Sequence, residues 1–260
     1  MKILLNGING RMGRAVLSLA REGYRGAEVV LGVDPSADGG LDMPTYRSFS
    51  EITDAADVDC IIDFSHHTAV CALLDFATER GIPTVVATTG HSEEELAAIY
   101  SAAEEIPVFF SANMSLGVAL LVELAKRATA AFPEADIEII EKHHNRKLDA
   151  PSGTALMIAD AICEVRPEAY AKCGRAGQGK RTREEIGIHA VRMGNVVGEH
   201  EVILSTANQT LTLKHEAHDR ALFAEGAVAA AAFIVGKSAG IYNMESIIGG
   251  KRESAATTLV

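Results

Sequence analysis

The sequence has few cysteines, no long apolar run and little positive charge, and each shortage excludes a class of protein. Its four cysteines form no Cys-x-x-Cys pair, so we expect reduced cytoplasmic thiols and neither a disulfide framework nor a bound metal. No apolar run approaches the roughly 20 residues of a membrane span, so we expect no membrane association. Lys and Arg number 24 against 35 Asp and Glu, a net charge of −11, which excludes a generally basic nucleic-acid binder.

The composition that remains is that of a folded protein. Hydrophobic residues make up 48% of the 260 residues, which is enough for a core, and the length allows one large domain or two modest ones. The apolar start of the chain reaches Gly7 too early for a secretory signal.

The first third of the chain alternates short apolar runs with helical patterns. Strands are predicted at residues 3–5, 28–33, 59–64, 84–87 and 107–110. Near-continuous apolar strands, each followed by a helix, indicate a parallel sheet covered on both faces. We therefore expect an α/β protein whose first part is a doubly wound sheet of the Rossmann type.

The pattern changes near residue 115. A helix over 116–131, a strand over 136–141 and a helix starting near 153 are followed by a predicted loop over 166–185. Three strands without intervening helices, and a final helix over about 220–238, come next. The run of strands predicts a second, central α+β unit with an open mixed sheet.

A glycine-rich loop links the first strand to the first helix, and an acid follows the second strand. The spacing Gly-x-x-Gly-x-x-Gly over residues 7–13 allows a tight turn and lets the backbone approach a pyrophosphate at the helix start. Asp34 lies about 20 residues further on, where an acid accepts hydrogen bonds from a ribose 2′-OH. The alternative is a glycine-rich turn that binds nothing.

Two further segments follow predicted strands of the same sheet. They are Ala87, Thr88 and Thr89, and then Ser111, Ala112, Asn113 and Met114. Ligands of open α/β sheets lie at the carboxyl ends of strands, so these segments are candidate walls for a nicotinamide ribose, or else plain loops.

A cationic segment interrupts this acidic chain at residues 143–147, His-His-Asn-Arg-Lys. It precedes Ser152, Gly153 and Thr154, a predicted helix start whose N–H groups favour anions. A carboxylate-bearing substrate could be held between Lys147 or His144 and this helix start, with the remaining histidine as general acid. The alternative is a solvated basic turn with buried histidines.

These segments resemble the dihydrodipicolinate reductase family over nearly the whole chain. The loop Gly-Ile-Asn-Gly-Arg-Met-Gly at 7–13, Ala-Thr-Thr-Gly at 87–90 and the stretch at 141–155, Glu-Lys-His-His through Ala-Pro-Ser-Gly-Thr-Ala, carry the resemblance. It implies a reductase of diaminopimelate and lysine biosynthesis that transfers hydride from NADH or NADPH to a cyclic dicarboxylate.

The resemblance also implies roles for single residues. His143 would protonate the ring carbon next to the one that receives hydride, and Lys147 would bind a carboxylate and share the donor role. Three residues would contact the substrate carboxylates: His144, Gly153 and Thr154. The cofactor would be held by Gly7, Ile8, Asn9, Gly10, Arg11, Met12 and Asp34, together with the two wall segments, 87–89 and 111–114.

The family's organisation implies two domains and a homotetramer. A dinucleotide-binding domain would comprise 1–114 and 220–260, and a substrate-binding and oligomerisation domain 115–219. Asp34 followed by Pro35, with Arg11 as the nearest cation, predicts a modest preference for NADH over NADPH. Two other hypotheses remain: another two-domain NAD(P)-dependent dehydrogenase, and a non-catalytic dinucleotide sensor.

Overall fold

In the computed structural model, which describes residues 1–249, the chain divides into two compact units. Among the described residues, one unit comprises 1–115 and 221–249, and the other is Leu116–Arg220. The predicted extent of the first domain includes residues 250–260, which lie outside the described residues.

The first unit contains a seven-stranded parallel sheet. Its strands are β1 (Lys2–Asn6), β2 (Glu28–Val33), β3 (Thr45–Tyr46), β4 (Cys60–Asp63), β5 (Thr84–Val86), β6 (Pro107–Phe110) and β12 (Gly240–Tyr242). Their order in the sheet is β12-β6-β5-β4-β1-β2-β3, so the direction of winding reverses between β1 and β4. This confirms the predicted Rossmann-type sheet, and the reversal is where such sheets bind ligands.

Five helices belong to this sheet: α1 (Arg11–Arg21), α2 (Val70–Arg80), α3 (Glu93–Ala102), α6 (Ala221–Ile234) and α7 (Met244–Ile248). Helix α1 packs with α6, and α2 packs with α3. The predicted helix boundaries follow from local chemistry: Ser92 and Glu95 form a capping box at the start of α3, and Gly81 ends α2 in the left-handed conformation. The last large helix ends at Ile234, earlier than predicted.

The second unit contains a mixed sheet with two helices, as predicted. The strands are β7 (Asp136–His143), β8 (Tyr170–Cys173), β9 (Glu185–Arg192), β10 (Gly198–Ser205) and β11 (Thr210–Ala217), in the order β11-β10-β7-β9-β8. Helices α4 (Leu116–Ala131) and α5 (Gly153–Val165) pack on each other and on the sheet, over a core that includes Ile137 and Ile139.

One prediction for this unit is wrong. The segment 166–185 is not a continuous loop, because Tyr170–Cys173 pairs in parallel with β9. All four residues of this edge strand are exposed, so they lack the apolar alternation that marks a strand in a sequence.

Candidate active site

The glycine-rich loop lies at the reversal of the sheet, against the end of β4. Gly7 has φ +81°, and a Cβ built on it would lie 2.7 Å from the carbonyl oxygen of Phe64. A Cβ at Gly13 would lie 2.1 Å from the carbonyl oxygen of Gly7. Both positions therefore require glycine, because backbone packs directly on backbone there.

The start of α1 is left open by this loop. Its N-cap is Gly10, and no side chain caps the helix there, so the first-turn N–H groups are open to a bound anion. Arg11, exposed in that first turn, adds a positive charge. The loop therefore fits the diphosphate of a dinucleotide.

Asp34 lies directly beside the loop, as its spacing suggested. One carboxylate oxygen accepts a hydrogen bond from the backbone N–H of Asn9 at 3.1 Å, and the other accepts bonds from the N–H and hydroxyl of Ser36 at 2.9 and 2.6 Å. Burial opposes its ionisation, but the hydrogen bonds from Ser36 and Asn9 hold the pKa of Asp34 below its ordinary value. An ionised carboxylate there fits a ribose hydroxyl.

The two wall segments follow β5 and β6 at the same edge of the sheet. A cavity of about 310 Å³ is lined by residues 64–67 and 87–89. Within it, the hydroxyl of buried Thr88 donates to Asp63 at 3.2 Å, and burial raises the pKa of the Asp63 carboxyl. The other segment is fixed by its own hydrogen bonds: Asn113 accepts from the N–H of Ser115 at 2.9 Å, and Met114 is buried.

The cationic segment begins at the end of β7, in the second unit. His143, the last residue of that strand, is 8% exposed. Its Nδ1 lies 2.6 Å from a carboxylate oxygen of Glu141. A carboxylate only accepts hydrogen bonds, so Nδ1 carries the proton and Nε2 is the atom free to exchange one.

Glu141 is fully buried and carries its charge among donors. Arg192 donates to both of its oxygens at 2.7 Å, and the N–H of Ser152 donates at 3.0 Å. Burial opposes ionisation, but the bonds from Arg192, His143 and Ser152 outweigh it and hold the pKa of Glu141 below its ordinary value. One carboxylate thus connects His143 to the start of α5.

The start of α5, which carries the predicted carboxylate-binding residues Gly153 and Thr154, lies beside Glu141. Ser152 is its N-cap and accepts from the N–H of Ala155 at 3.3 Å. Gly153 is exposed, with open space where a Cβ would lie, and Thr154 follows it. His200 also joins this corner, with Nε2 3.0 Å from the Ser152 hydroxyl and its ring 5.2 Å from that of His143.

The remaining predicted residues, His144 and Lys147, form the turn after β7. Lys147 lies 2.9 Å from Asp149 and lowers the pKa of that carboxyl. Burial, together with the cations Arg146 and Arg220, lowers the pKa of His144. Its Nδ1 is buried without a hydrogen-bond partner among residues 1–249.

The sequence did not single out Glu141, Arg192 or His200 as parts of this site, whereas Ser152 was predicted as part of the helix start. Glu141 could have been found, because residues i and i+2 of a strand share a face and Glu141 precedes His143 by two. Within residues 1–249, no group of His, Cys, Asp and Glu is arranged to hold a metal ion, and no helix has the length and apolarity to cross a membrane.

Comparison with known proteins identifies the chain's relatives. Family models described as "Dihydrodipicolinate reductase, N-terminus" and "Dihydrodipicolinate reductase, C-terminus" match residues 1–114 and 117–248. A 4-hydroxy-tetrahydrodipicolinate reductase of Caldanaerobacter subterraneus subsp. tengcongensis is 48% identical over 252 residues, covering 95% of this chain and 98% of that one. One from Clostridium tetani is 42% identical over 250 residues, covering 95% and 97%.

A solved structure is similar over nearly the whole chain. It is a dipicolinate-bound dihydrodipicolinate reductase from Paenisporosarcina sp. TG-14, with a TM-score of 0.80 and 24% identity, covering 95% of this chain and 99% of that one. At this identity the similarity shows the fold.

A Rossmann-type unit with an open helix start, together with a unit that holds a buried histidine–carboxylate pair, defines a dinucleotide-dependent oxidoreductase. The chain belongs to the dihydrodipicolinate reductase family, whose members use NAD(P)H in the biosynthesis of lysine and diaminopimelate. The predicted family and reductase activity are thereby confirmed.

Proposed function

We propose that the chain reduces the dihydrodipicolinate ring to tetrahydrodipicolinate, with His143 as the proton donor. The observation that carries the proposal is the shared carboxylate of Glu141, which contacts both His143 and the N-terminus of α5. This shared contact brings His143 close to the start of α5, which supports binding of a substrate that is both held by a carboxylate and protonated.

The ring gains a hydride at one carbon and a proton at its neighbour. When bound, the nicotinamide cofactor supplies the hydride. His143 in its charged form holds protons on both ring nitrogens, and the proton on Nε2 is the one transferred, because Nδ1–H remains bonded to Glu141. Lys147 binds one substrate carboxylate by a charge-assisted hydrogen bond and shares the donor role. His144, Gly153 and Thr154 contact the carboxylates.

The cofactor is held by residues of the first unit. Gly7, Ile8, Gly10 and Met12 shape the loop around the diphosphate, and Asn9 positions Asp34 for the ribose; Arg11 adds charge. Residues 87–89 and 111–114 wall the nicotinamide ribose. The support is the open start of α1 and the two positions where only glycine fits.

The proposed cofactor preference is for NADH, with NADPH also used. The ionised carboxylate of Asp34 accepts bonds from a free 2′-OH and repels a 2′-phosphate. Pro35, next to it, offers neither charge nor N–H. Each tenfold of preference needs about 1.4 kcal/mol, within reach of one repulsive contact.

We further propose a cytoplasmic homotetramer assembled through the second unit. Among residues 1–249, most large exposed apolar side chains belong to that unit, including Leu148, Tyr170, Met193 and Leu211. These side chains support the proposal because a subunit interface would remove apolar surface from water. The cysteines Cys60, Cys71, Cys163 and Cys173 form no disulfide, which suits a reducing compartment.

The test is oxidation of NADH by the purified protein with the unstable substrate generated in place from pyruvate and aspartate semialdehyde. Oxidation should require the cyclic substrate. His143→Ala should lower kcat by about 10²–10⁴, with a smaller change in KM. His218→Ala, which removes an exposed histidine of the same unit, is the control.

Other outcomes would assign a different function. NADH binding without oxidation would indicate a non-catalytic dinucleotide sensor, and oxidation that does not depend on the cyclic substrate would indicate another dehydrogenase. A His143→Ala variant with kcat within about threefold of wild type would exclude His143 as the donor.

A further inference from the structure

The short strand β3 places an arginine beside Asp34 that local sequence does not reveal. Gly32 and Val33 of β2 pair with Thr45 and Tyr46 of β3, and the N–H of Asp34 donates to the carbonyl of Tyr46 at 3.0 Å. Because the strands are parallel, their carboxyl ends lie at the same edge of the sheet. Arg47, the residue after β3, therefore lies next to the acid that follows β2.

The side chain of Arg47 is held over the turn that Asp34 begins. Its Nε donates to the carbonyl of Ala37 at 3.2 Å, and Ala37 closes the turn by donating its N–H to the carbonyl of Asp34 at 2.9 Å. The residue is exposed. Neither of its terminal nitrogens has a partner among the described residues, so both remain available to a ligand.

Acidic groups also face this turn and set its electrostatics. The Asp34 carboxylate accepts hydrogen bonds from the backbone N–H and the hydroxyl of Ser36. Glu51 accepts one from the backbone N–H of Arg47 at 3.0 Å. Asp38 follows the turn and accepts from the N–H of Gly40. A phosphate at this place meets a negative field that one cation must offset.

We propose that Arg47 is the specificity-determining residue that lets the site accept the 2′-phosphate of NADPH. The inference rests on the proposed dinucleotide site, since the ribose 2′ position lies where Asp34 ends β2. A guanidinium with two free terminal nitrogens binds phosphate in a fork and is permanently charged. The bond from its Nε to the carbonyl of Ala37 holds the guanidinium at the turn and does not use either terminal nitrogen.

Two other arginines are alternatives, and both belong to the part of the site that NADH and NADPH share. Arg11 lies in the first turn of α1, at the proposed diphosphate site. The Nε of Arg14 donates to the carbonyl of Asn9 at 3.2 Å, which supports the glycine-rich loop. Replacing either should weaken both cofactors, whereas replacing Arg47 should weaken NADPH alone.

The experiment is calorimetric titration of the full chain with four probes: NADH, NADPH, adenosine 5′-monophosphate and adenosine 2′,5′-bisphosphate. Arg47→Ala should raise the Kd of the two 2′-phosphorylated probes about tenfold and leave the other two unchanged. For Arg47→Lys, which keeps the charge but not the forked guanidinium, the Kd of these two probes should lie between those of wild type and Arg47→Ala. Added salt should reduce the difference between wild type and Arg47→Ala.

Arg21→Ala is the matched control, because it removes an exposed arginine of the same unit that lies 3.9 Å from Asp42; it should change no Kd. Unchanged NADH affinity in Arg47→Ala also shows that the variant is folded. If Arg47→Ala binds NADH and NADPH in the wild-type ratio, or if Arg14→Ala shifts that ratio instead, the role of Arg47 is refuted while the dinucleotide site stands. If the wild-type chain binds neither cofactor, the dinucleotide site itself is refuted.

Discussion

Glu141 is a buried carboxylate whose charge depends on its neighbours. With Arg192 on both oxygens and His143 on one, it has no exposed surface. Removing one member of a buried ion pair leaves the charge of the other member unpaired. The loss of folding free energy then exceeds the net contribution of the pair. Glu141 is therefore expected to affect both stability and proton transfer.

Glu141→Gln should lower kcat by about ten- to hundredfold with little change in KM, because an amide in place of the carboxylate no longer holds the His143 ring with Nε2 free to exchange a proton. It should also lower the free energy of unfolding by about 3 kcal/mol. Kinetics and urea unfolding measure the two effects. Glu138→Gln, on the same strand but bonded to His189, is the control, and a Glu141→Gln variant with wild-type kcat would contradict the positioning role.

The stability of the chain should depend on pH through His200. Burial, with a smaller contribution from the neighbouring charge of His143, lowers the pKa of His200 from 6.5 to about 4. Between these values the unfolded chain binds a proton that the folded chain does not. The contribution of neutral His200 to the free energy of unfolding is therefore complete above pH 6.5 and declines as the pH falls towards 4.

Urea unfolding at several pH values checks this dependence. When the pH is lowered from 6.5 to 4, the free energy of unfolding of wild type should fall by about 3 kcal/mol more than that of the His200→Asn variant. Replacement of exposed His218 by Asn should leave the wild-type pH dependence unchanged. Parallel pH profiles for wild type and His200→Asn would show that His200 is not buried in its neutral form.

At the scale of elements, the close packing of the glycine-rich loop makes a direct prediction. Gly13→Ala should raise the Kd of NADH by at least about tenfold, because its Cβ would displace the Gly7 carbonyl and with it the loop. Gly179→Ala adds a Cβ that meets no atom within 4 Å and should bind NADH normally. Calorimetry compares them, and equal affinities would mean that the loop does not hold the cofactor.

The start of α5 and the turn before it should bind a planar dicarboxylate. Pyridine-2,6-dicarboxylate should compete with substrate, and its affinity should fall as salt rises. Lys147→Ala should weaken it about tenfold, whereas Lys180→Ala, in the exposed segment before β9, should not. Titration calorimetry that detects no binding to wild type at millimolar ligand would remove this corner from substrate recognition.

Elements with strong local signals could be predicted, and those set by long-range pairing could not. Helix α4 has the predicted bounds because the sequence pattern changes clearly at both of its ends. The start of α3 could be predicted because Ser92 and Glu95 have the spacing of a capping box. Strand β3, with two residues, has no periodicity at all. The position of Arg47 therefore could not be predicted, whereas the end of the second predicted strand and its spacing from the glycine-rich loop indicated Asp34.

For the whole molecule, we predict a homotetramer that assembles through the second unit. Sedimentation should give a mass four times that of the 27.5-kDa chain. Leu211→Asp, on exposed strand β11, should favour smaller species because a charge replaces an apolar contact. Val235→Asp, equally exposed in the first unit, is the control; a monomeric wild-type chain would refute the tetramer.

The interrupted first unit has a consequence for the order in which the protein is made. Helix α6, whose buried alanines pack on α1, β4, β5 and β6, leaves the ribosome only after the whole second unit. During synthesis the second unit, which is continuous in the chain, is complete first. The nascent Rossmann-type sheet meanwhile lacks both its covering helix and its edge strand β12. The glycine-rich loop is thus translated before the second unit, while the sheet that carries it is completed only after that unit.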